Sequence, residues 1–255
     1  MISPPQFPEG VPAGIILTCL VAIMVATTAG VFALFLLKRW RQMNSMRRQY
    51  TLFWALMCLL WVGISIRYLM VVGGFTSPKI YWINEVILQT TLFASGIPLM
   101  RYLSYLVFRS TVVSLAFTFY GSFGFLLSAW FLAQPDGILP GMVTLFTVEP
   151  AINDTSGLLF IILAGSSLVL LIIHTAIQLT QWYRQRVGEF PYDTLFSICL
   201  IIYIVLGTID QLNAITGWTV VVFRILYVGV FLIGYLVTSE DERRHEQYLV
   251  TSGQV

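Results

Sequence analysis

Seven hydrophobic runs follow one another along the chain, and each is long enough to cross a lipid bilayer. A helix needs about 20 mainly apolar residues to span the hydrocarbon core. The runs are Gly14–Leu37, Leu52–Val72, Ile80–Leu103, Thr111–Ala133, Gly157–Thr180, Thr194–Ile215 and Thr219–Thr238. Backbone groups inside a bilayer must find hydrogen-bond partners within their own segment. The pattern therefore predicts an all-α membrane protein with seven transmembrane helices.

The composition is typical of a protein surrounded by lipid. Of the 255 residues, 58% are hydrophobic and only 10% are charged, whereas soluble domains carry about 25% charged residues. The three cysteines, Cys19, Cys58 and Cys199, all lie within hydrophobic runs. An odd number of thiols in apolar segments indicates small core side chains rather than a disulfide framework. We expect one transmembrane domain over residues 1–240 and a short cytoplasmic tail over residues 241–255.

Basic residues between the runs predict the orientation, because cytoplasmic loops are enriched in Lys and Arg. Most of the 14 basic residues flank the runs on one side: Lys38, Arg39, Arg41, Arg47, Arg48, Arg101, Arg109, Arg184, Arg186, Arg243 and Arg244. Lys79 falls on the other side. The turn around Arg101–Arg109, between the third and fourth runs, must be tight. The pattern predicts an outer N-terminus, a cytoplasmic C-terminus and a location in a bacterial plasma (inner) membrane.

Charged residues inside the runs are the main functional signal. Four runs contain one each, namely Arg67, Glu85, Asp210 and Arg224. At a rise of about 1.5 Å per residue, all four fall in the outer third of the bilayer. Four amides lie at neighbouring depths: Asn84, Gln89, Gln211 and Asn213. Burying a charge in a membrane costs about 2.5–3.5 kcal/mol on insertion scales, so such residues are candidates for a functional site. We predict one outer cluster in which each arginine pairs with one of the two acids.

Three interpretations of this cluster remain open. The charges could form salt bridges that only fix the helices, or they could line a pocket in which a small polar or charged ligand competes for them. They could also belong to a proton or ion pathway. A pathway normally needs polar groups at successive depths, and the inner half offers only mild ones: Thr90, Thr91, Ser95 and Ser166.

The longest outer segment, residues 134–157, reads QPDGILPGMVTLFTVEPAINDTSG. Its Pro and Gly residues with apolar residues between them indicate an ordered connector. The alternative is a segment that folds back as a lid or lies at the membrane interface.

Signatures of enzymes and of pigment or metal sites are missing from the sequence. His174 is the only histidine within a run, which is too few for a bis-histidine haem site. The seventh run has no lysine for a retinal Schiff base, and there is no HExxH, phosphate-binding glycine loop or Ser/His/Asp pattern. We therefore expect no enzymatic activity, no cofactor and no metal.

Residues 34–108 resemble the N-terminal seven-helix sensor region found ahead of bacterial histidine kinases and diguanylate cyclases. The first run ends in the basic stretch LFLLKRWRQMNSMRR, and the second contains FWALMCLLWVGISIRY. The third, SPKIYWINEVILQTTLFASGIPLMRYL, begins with the pair Tyr81 and Trp82 and has Pro98 near its end. The resemblance implies the same outside-to-inside topology but no ligand residues. Since nothing kinase-like follows the last run, it also implies that a signal passes to a separate partner.

We expect a sensor-like, signal-coupling module whose partners are the lipid bilayer and a protein on the cytoplasmic side or within the membrane, and no nucleic acid. The alternative is an accessory subunit of a respiratory or photosynthetic membrane complex, for which Gly121–Gly124 and Ala164–Ser167 offer small residues that permit close helix approach. A small transporter or channel is a third possibility, disfavoured because no internal repeat is visible.

Overall fold

Within the described residues, the fold consists of seven long helices, one 3-10 turn (Trp40–Gln42) and one short β hairpin. The computed structural model describes residues 2–7, 9–185, 192–212 and 214–251. The helices are α1 (Ala13–Lys38), α2 (Ser45–Val72), α3 (Pro78–Phe108), α4 (Thr111–Leu132), α5 (Asp154–Gln185), α6 (Tyr192–Gln211) and α7 (Thr219–Thr251). Each contains a stretch long and apolar enough to cross a membrane. The predicted number and type of elements are therefore confirmed for the helices.

Local sequence signals set several helix ends. The side chain of Asn44 caps α2 by accepting a hydrogen bond from the backbone N–H of Arg47 at 2.8 Å. Pro78 begins α3, where its missing N–H leaves no intrahelical bond unmade. Arg109 ends α3 in the left-handed conformation, with φ of 51°. The turn into α4 is therefore shorter than predicted, and Arg101 lies within α3.

Six of the helices form a closed ring in the order α1, α2, α3, α5, α6, α7, and α4 packs outside it against α3 and α5. Aromatic side chains fill the interior. The ring of Trp54 lies 5.3 Å from Phe32, 5.2 Å from Tyr203 and 5.2 Å from Phe231, centroid to centroid. These tilted and edge-to-face contacts join α1, α2, α6 and α7.

The segment between α4 and α5 folds back as an antiparallel hairpin of β1 (Ile138–Val143) and β2 (Val148–Ile152). An ordered connector or a segment that folds back was expected here, but β strands were not. The hairpin tip packs on the start of α1, where the Thr18 hydroxyl donates to the Phe146 carbonyl at 2.7 Å. We call this end of the ring, with the α2–α3 and α6–α7 links, the hairpin end.

Candidate functional site

Arg67 of α2 and Glu85 of α3 form a bidentate ion pair at the hairpin end. Arg67 Nε donates to Glu85 Oε1 at 2.7 Å and Nη2 donates to Oε2 at 2.6 Å. Arg67 is 3% exposed and Glu85 is fully buried. Asn84 adds donations from its amide to Glu85 Oε1 at 3.4 Å and to the Gly63 carbonyl at 3.3 Å. Two parallel charge-assisted hydrogen bonds fix the relative position of the two helices.

Glu149, on strand β2, joins this pair to α7. Its Oε2 accepts from Arg67 Nη1 at 2.7 Å, and its Oε1 accepts from the Tyr68 hydroxyl at 3.0 Å and from Arg224 Nη2. Tyr68 also accepts a hydrogen bond from the backbone N–H of Val148 at 3.3 Å. The hairpin is thus held by one carboxylate shared between two helices. Sequence reasoning missed Glu149 because it lies outside the hydrophobic runs.

Arg224 meets the acid that was predicted as its partner only at long range. Its Nη2 lies 3.8 Å from Asp210 Oδ1, within ion-pair range but beyond hydrogen-bonding distance. Glu149 is its closer partner, and the guanidinium also lies 4.9 Å above the ring of Tyr68. We refer to Arg67, Tyr68, Glu85, Glu149, Asp210 and Arg224 as the polar network.

Two of the other predicted amides, Gln89 and Gln211, line the same cavity as Arg67, Glu149 and Asp210 and bond each other. Gln211 of α6 donates from Nε2 to Gln89 Oε1 of α3 at 3.2 Å, so the amides bridge two helices. Asn213 lies outside the described residues. The structure therefore brings together all four predicted charges and adds Tyr68 and Glu149.

A cavity of about 70 Å³ adjoins the network between α2, α3, α6 and α7. Arg67, Gln89, Glu149, Asp210 and Gln211 line it on the polar side. Trp61, Tyr203 and Tyr227 line it with aromatic rings, and Trp61 Nε1 donates to the Tyr203 hydroxyl at 3.2 Å. The site can therefore offer carboxylate, amide and aromatic groups to a small molecule or ion.

Glu149 belongs to the hairpin and not to a membrane-spanning helix. Burial disfavours its ionised form, but Arg224 and Arg67, together with hydrogen bonds from Arg224 and Tyr68, hold its pKa below the ordinary value of 4.5. The carboxylate is therefore ionised at neutral pH and can keep both arginines paired.

No group of three or more His, Cys, Asp and Glu side chains is arranged to hold a metal ion within the described ranges. No protein-family model matches the chain, and neither a curated protein nor a solved structure matches it. Function has to be inferred from the geometry of the site.

Proposed function

We propose that the chain is a non-enzymatic seven-helix membrane protein that acts as a sensor-like, signal-coupling module. The observation that supports this most is the position of Glu149, which contacts Arg67 of α2 and Arg224 of α7 at the same time. Any event at the hairpin end that moves this carboxylate removes one partner from each of two buried arginines. The hairpin and the helix packing are therefore coupled.

Helix α7 offers a route from the network to the other end of the protein. It is continuous from Thr219 to Thr251. Arg224 lies near its start, about 24 Å along the helix axis from Glu240 at 1.5 Å rise per residue. In the proposed orientation the hairpin end faces outside and the other end faces the cytoplasm of a bacterial cell. A partner protein there would read a shift of α7.

A sensor needs two helix arrangements whose balance a ligand shifts through its different affinity for each. Replacing Asp210 by Asn and Arg224 by Gln removes one acid and one base from the network, so we expect the fold to remain and the helix arrangement to change. Spin labels at Tyr183→Cys in α5 and Leu236→Cys in α7 report the distance between exposed positions far from the hairpin end. The three native cysteines are replaced by Ser first.

We expect the neutralised variant to shift the distribution of distances between the labels. The matched control, Asp154→Asn with Lys79→Gln, neutralises an exposed acid and an exposed base at the hairpin end and should leave it unchanged. An unchanged distribution in the neutralised variant, with normal assembly into a larger complex on native gels, would contradict the sensor function.

The accessory-subunit alternative is favoured by one observation, the position of α4 outside the ring. Its outward face is apolar and exposed at Val112, Phe119, Phe123, Leu126 and Trp130. Lipid or a partner helix can cover such a face.

The small residues of α4 do not form that outward surface. A Cβ at Gly121 would lie 3.2 Å from Ile97 Cα of α3, and one at Gly124 would lie 3.1 Å from the Leu163 side chain of α5. Gly121 and Gly124 therefore permit packing within the bundle. Phe119 and Phe123 are the positions at which substitution tests a partner surface on α4.

A further inference from the structure

The polar network contains more acids than bases. Arg67 and Arg224 face three carboxylates, those of Glu85, Glu149 and Asp210. Glu85 and Glu149 both make short contacts with guanidinium groups, whereas Asp210 approaches Arg224 only to 3.8 Å. With all five groups ionised the network has a net charge of −1. An uncompensated charge in a largely buried site is unfavourable, so Asp210 must either take up a proton or be compensated by a positive ion beside it.

Space for a positive species exists where the charge is missing. Asp210 lines the cavity of about 70 Å³, and 22% of its side chain is accessible. A cavity needs a volume of about 10–15 Å³ to hold one water molecule. The cavity is therefore large enough for a small ion together with water.

The side chain of a buried tyrosine also lines this cavity. Tyr227 is only 2% exposed, yet its hydroxyl makes no hydrogen bond within the part of the chain that the structure describes. It points across to α6, because a Cβ built on Gly207 would lie 3.7 Å from that hydroxyl oxygen. Gly207 and Asp210 are three residues apart on α6 and so share a face. A hydroxyl oxygen and a carboxylate therefore converge on the same space.

The unpaired donors of Arg224 do not make this an anion site. Its Nε and Nη1 have no hydrogen-bond partner among the described residues, but both atoms are fully buried, with the guanidinium over the Tyr68 ring. Arg224 does not line the cavity, and Arg67, which does, already donates from Nε, Nη1 and Nη2 to Glu85 and Glu149. An added anion would also raise the net negative charge of the network.

We propose that Asp210 and the cavity beside it bind a small monovalent cation, either an alkali ion or a small ammonium ion. The inference rests on the proposed function and names the chemical class of the ligand that the sensor would detect. Carboxylate and hydroxyl oxygens of Asp210 and Tyr227 coordinate the ion, and the rings of Tyr203 and Trp61 supply cation–π attraction. A divalent ion would need more carboxylates than converge here among the described residues.

The test uses the purified full chain in phosphatidylcholine nanodiscs. Sodium, potassium and methylammonium chloride are titrated separately at constant ionic strength against N-methylglucamine chloride, whose bulky cation does not fit the cavity. Tm and tryptophan fluorescence are measured, since Trp61 lines the cavity. We expect a saturable rise in Tm with at least one of the three cations. Saturation by alkali ions alone identifies an inorganic ligand, and saturation by methylammonium alone identifies an organic one.

Three variants separate the site from general salt effects. Asp210→Asn should weaken the apparent affinity at least about tenfold, a difference of about 1.4 kcal/mol, whereas the exposed control Asp136→Asn should not. Gly207→Ala keeps every charge and adds a methyl group in ordinary contact with Tyr227, so it should fold normally and also bind more weakly. Tyr227→Phe removes only the hydroxyl and should have an intermediate effect.

The proposal is overturned if the wild-type protein shows no saturable response to any of the three cations. It is equally overturned if Asp210→Asn and Gly207→Ala respond as the wild type does. Neither result decides the sensor function, because the spin-label distances in the neutralised variant are measured without any added ligand. A normal cation response with unchanged distances would indicate a structural ion in a protein that is not a sensor.

Discussion

At the residue scale, every nitrogen of the Arg67 guanidinium group is hydrogen-bonded to a carboxylate. Three of its nitrogens donate to carboxylates, two to Glu85 and one to Glu149. An arginine buried in an apolar ring is stable only when such partners compensate its lost hydration. The two partners are not equivalent, because Arg67 is the one charged partner of Glu85 among the described residues, while Glu149 is shared with Arg224.

This asymmetry predicts unequal effects of single substitutions. Arg67→Met leaves Glu85 buried without a charged partner and should lower the free energy of unfolding by about 3–5 kcal/mol. Glu85→Gln should lower it less, because Arg67 keeps Glu149. The double variant should lose less than the sum of the single losses. Unfolding in mixed micelles measures these values, with the exposed Lys79→Met as the control. Additive losses would contradict the pairing.

The charges of the network show what sequence could reveal at this scale. Arg67, Glu85, Asp210 and Arg224 were grouped because helical rise converts sequence position into depth. Which arginine pairs with which acid could not be derived this way, because the depth of a residue does not specify the direction in which its side chain points from the helix. The role of Glu149 could not be predicted from the sequence, because its burial depends on a hairpin that folds back over the ring.

At the element scale, the hairpin depends on the bundle for its stability, since two strands alone are marginally stable in water. Contacts from Tyr68 and Arg67 to β2, and from Thr18 to the tip, provide the additional stabilisation that two strands alone lack. The pairing also contains an irregularity between Leu139 and Met142. Pro140 and Gly141 interrupt β1 there. They also interrupt the alternation of polar and apolar residues from which a strand is predicted.

Gly141 provides a test of the hairpin that changes no charge. A Cβ at this position would lie 1.6 Å from the carbonyl oxygen of Glu149, so Gly141→Ala must push the two strands apart. We expect it to displace Glu149 and to reproduce the destabilisation caused by Glu149→Gln, measured as the shift in Tm. Gly157→Ala is the matched control, because its Cβ meets nothing within 4 Å. Equal Tm values for Gly141→Ala and the wild type would show that the strands do not pair as described.

At the scale of the whole molecule, the helix directions place most of the described basic residues outside the polar network at the end opposite the hairpin. Lys38 ends α1, Arg47 lies in the first turn of α2, and Arg184 lies near the end of α5. Lys79 lies in the first turn of α3, at the hairpin end. The number of helices could be predicted because each run has the length and composition needed to cross a bilayer. The distribution of charge could be predicted because consecutive runs alternate in direction. The order of helices around the ring was not readable, since every run is apolar on several faces.

The proposed orientation predicts a clear labelling pattern. In a background without native cysteines, a membrane-impermeant thiol reagent should label Lys79→Cys and Asp154→Cys in intact cells. It should label Arg47→Cys and Arg184→Cys only after the membrane is permeabilised. Labelling of the last two in intact cells would show that the orientation is the opposite one. The polar network would then face the cytoplasm.

The central claim is that the ionised Glu149 side chain holds the hairpin between α2 and α7. Amide hydrogen exchange over Val148–Ile152 tests it most directly, expressed as protection factors that remove the intrinsic effect of pH. Because the pKa of Glu149 is held below 4.5 in the docked hairpin, its stabilising effect is complete above that pH and is lost as the pH falls through the docked pKa.

We expect Glu149→Gln to lower protection about 10–100-fold at neutral pH, as the loss of hydrogen bonds to charged groups worth about 1.5–3 kcal/mol implies. The wild type should approach the variant as the pH falls below 4.5. Glu9→Gln, an exposed glutamate at the same end, should behave as the wild type. Protection in Glu149→Gln equal to that of the wild type at neutral pH would contradict the account.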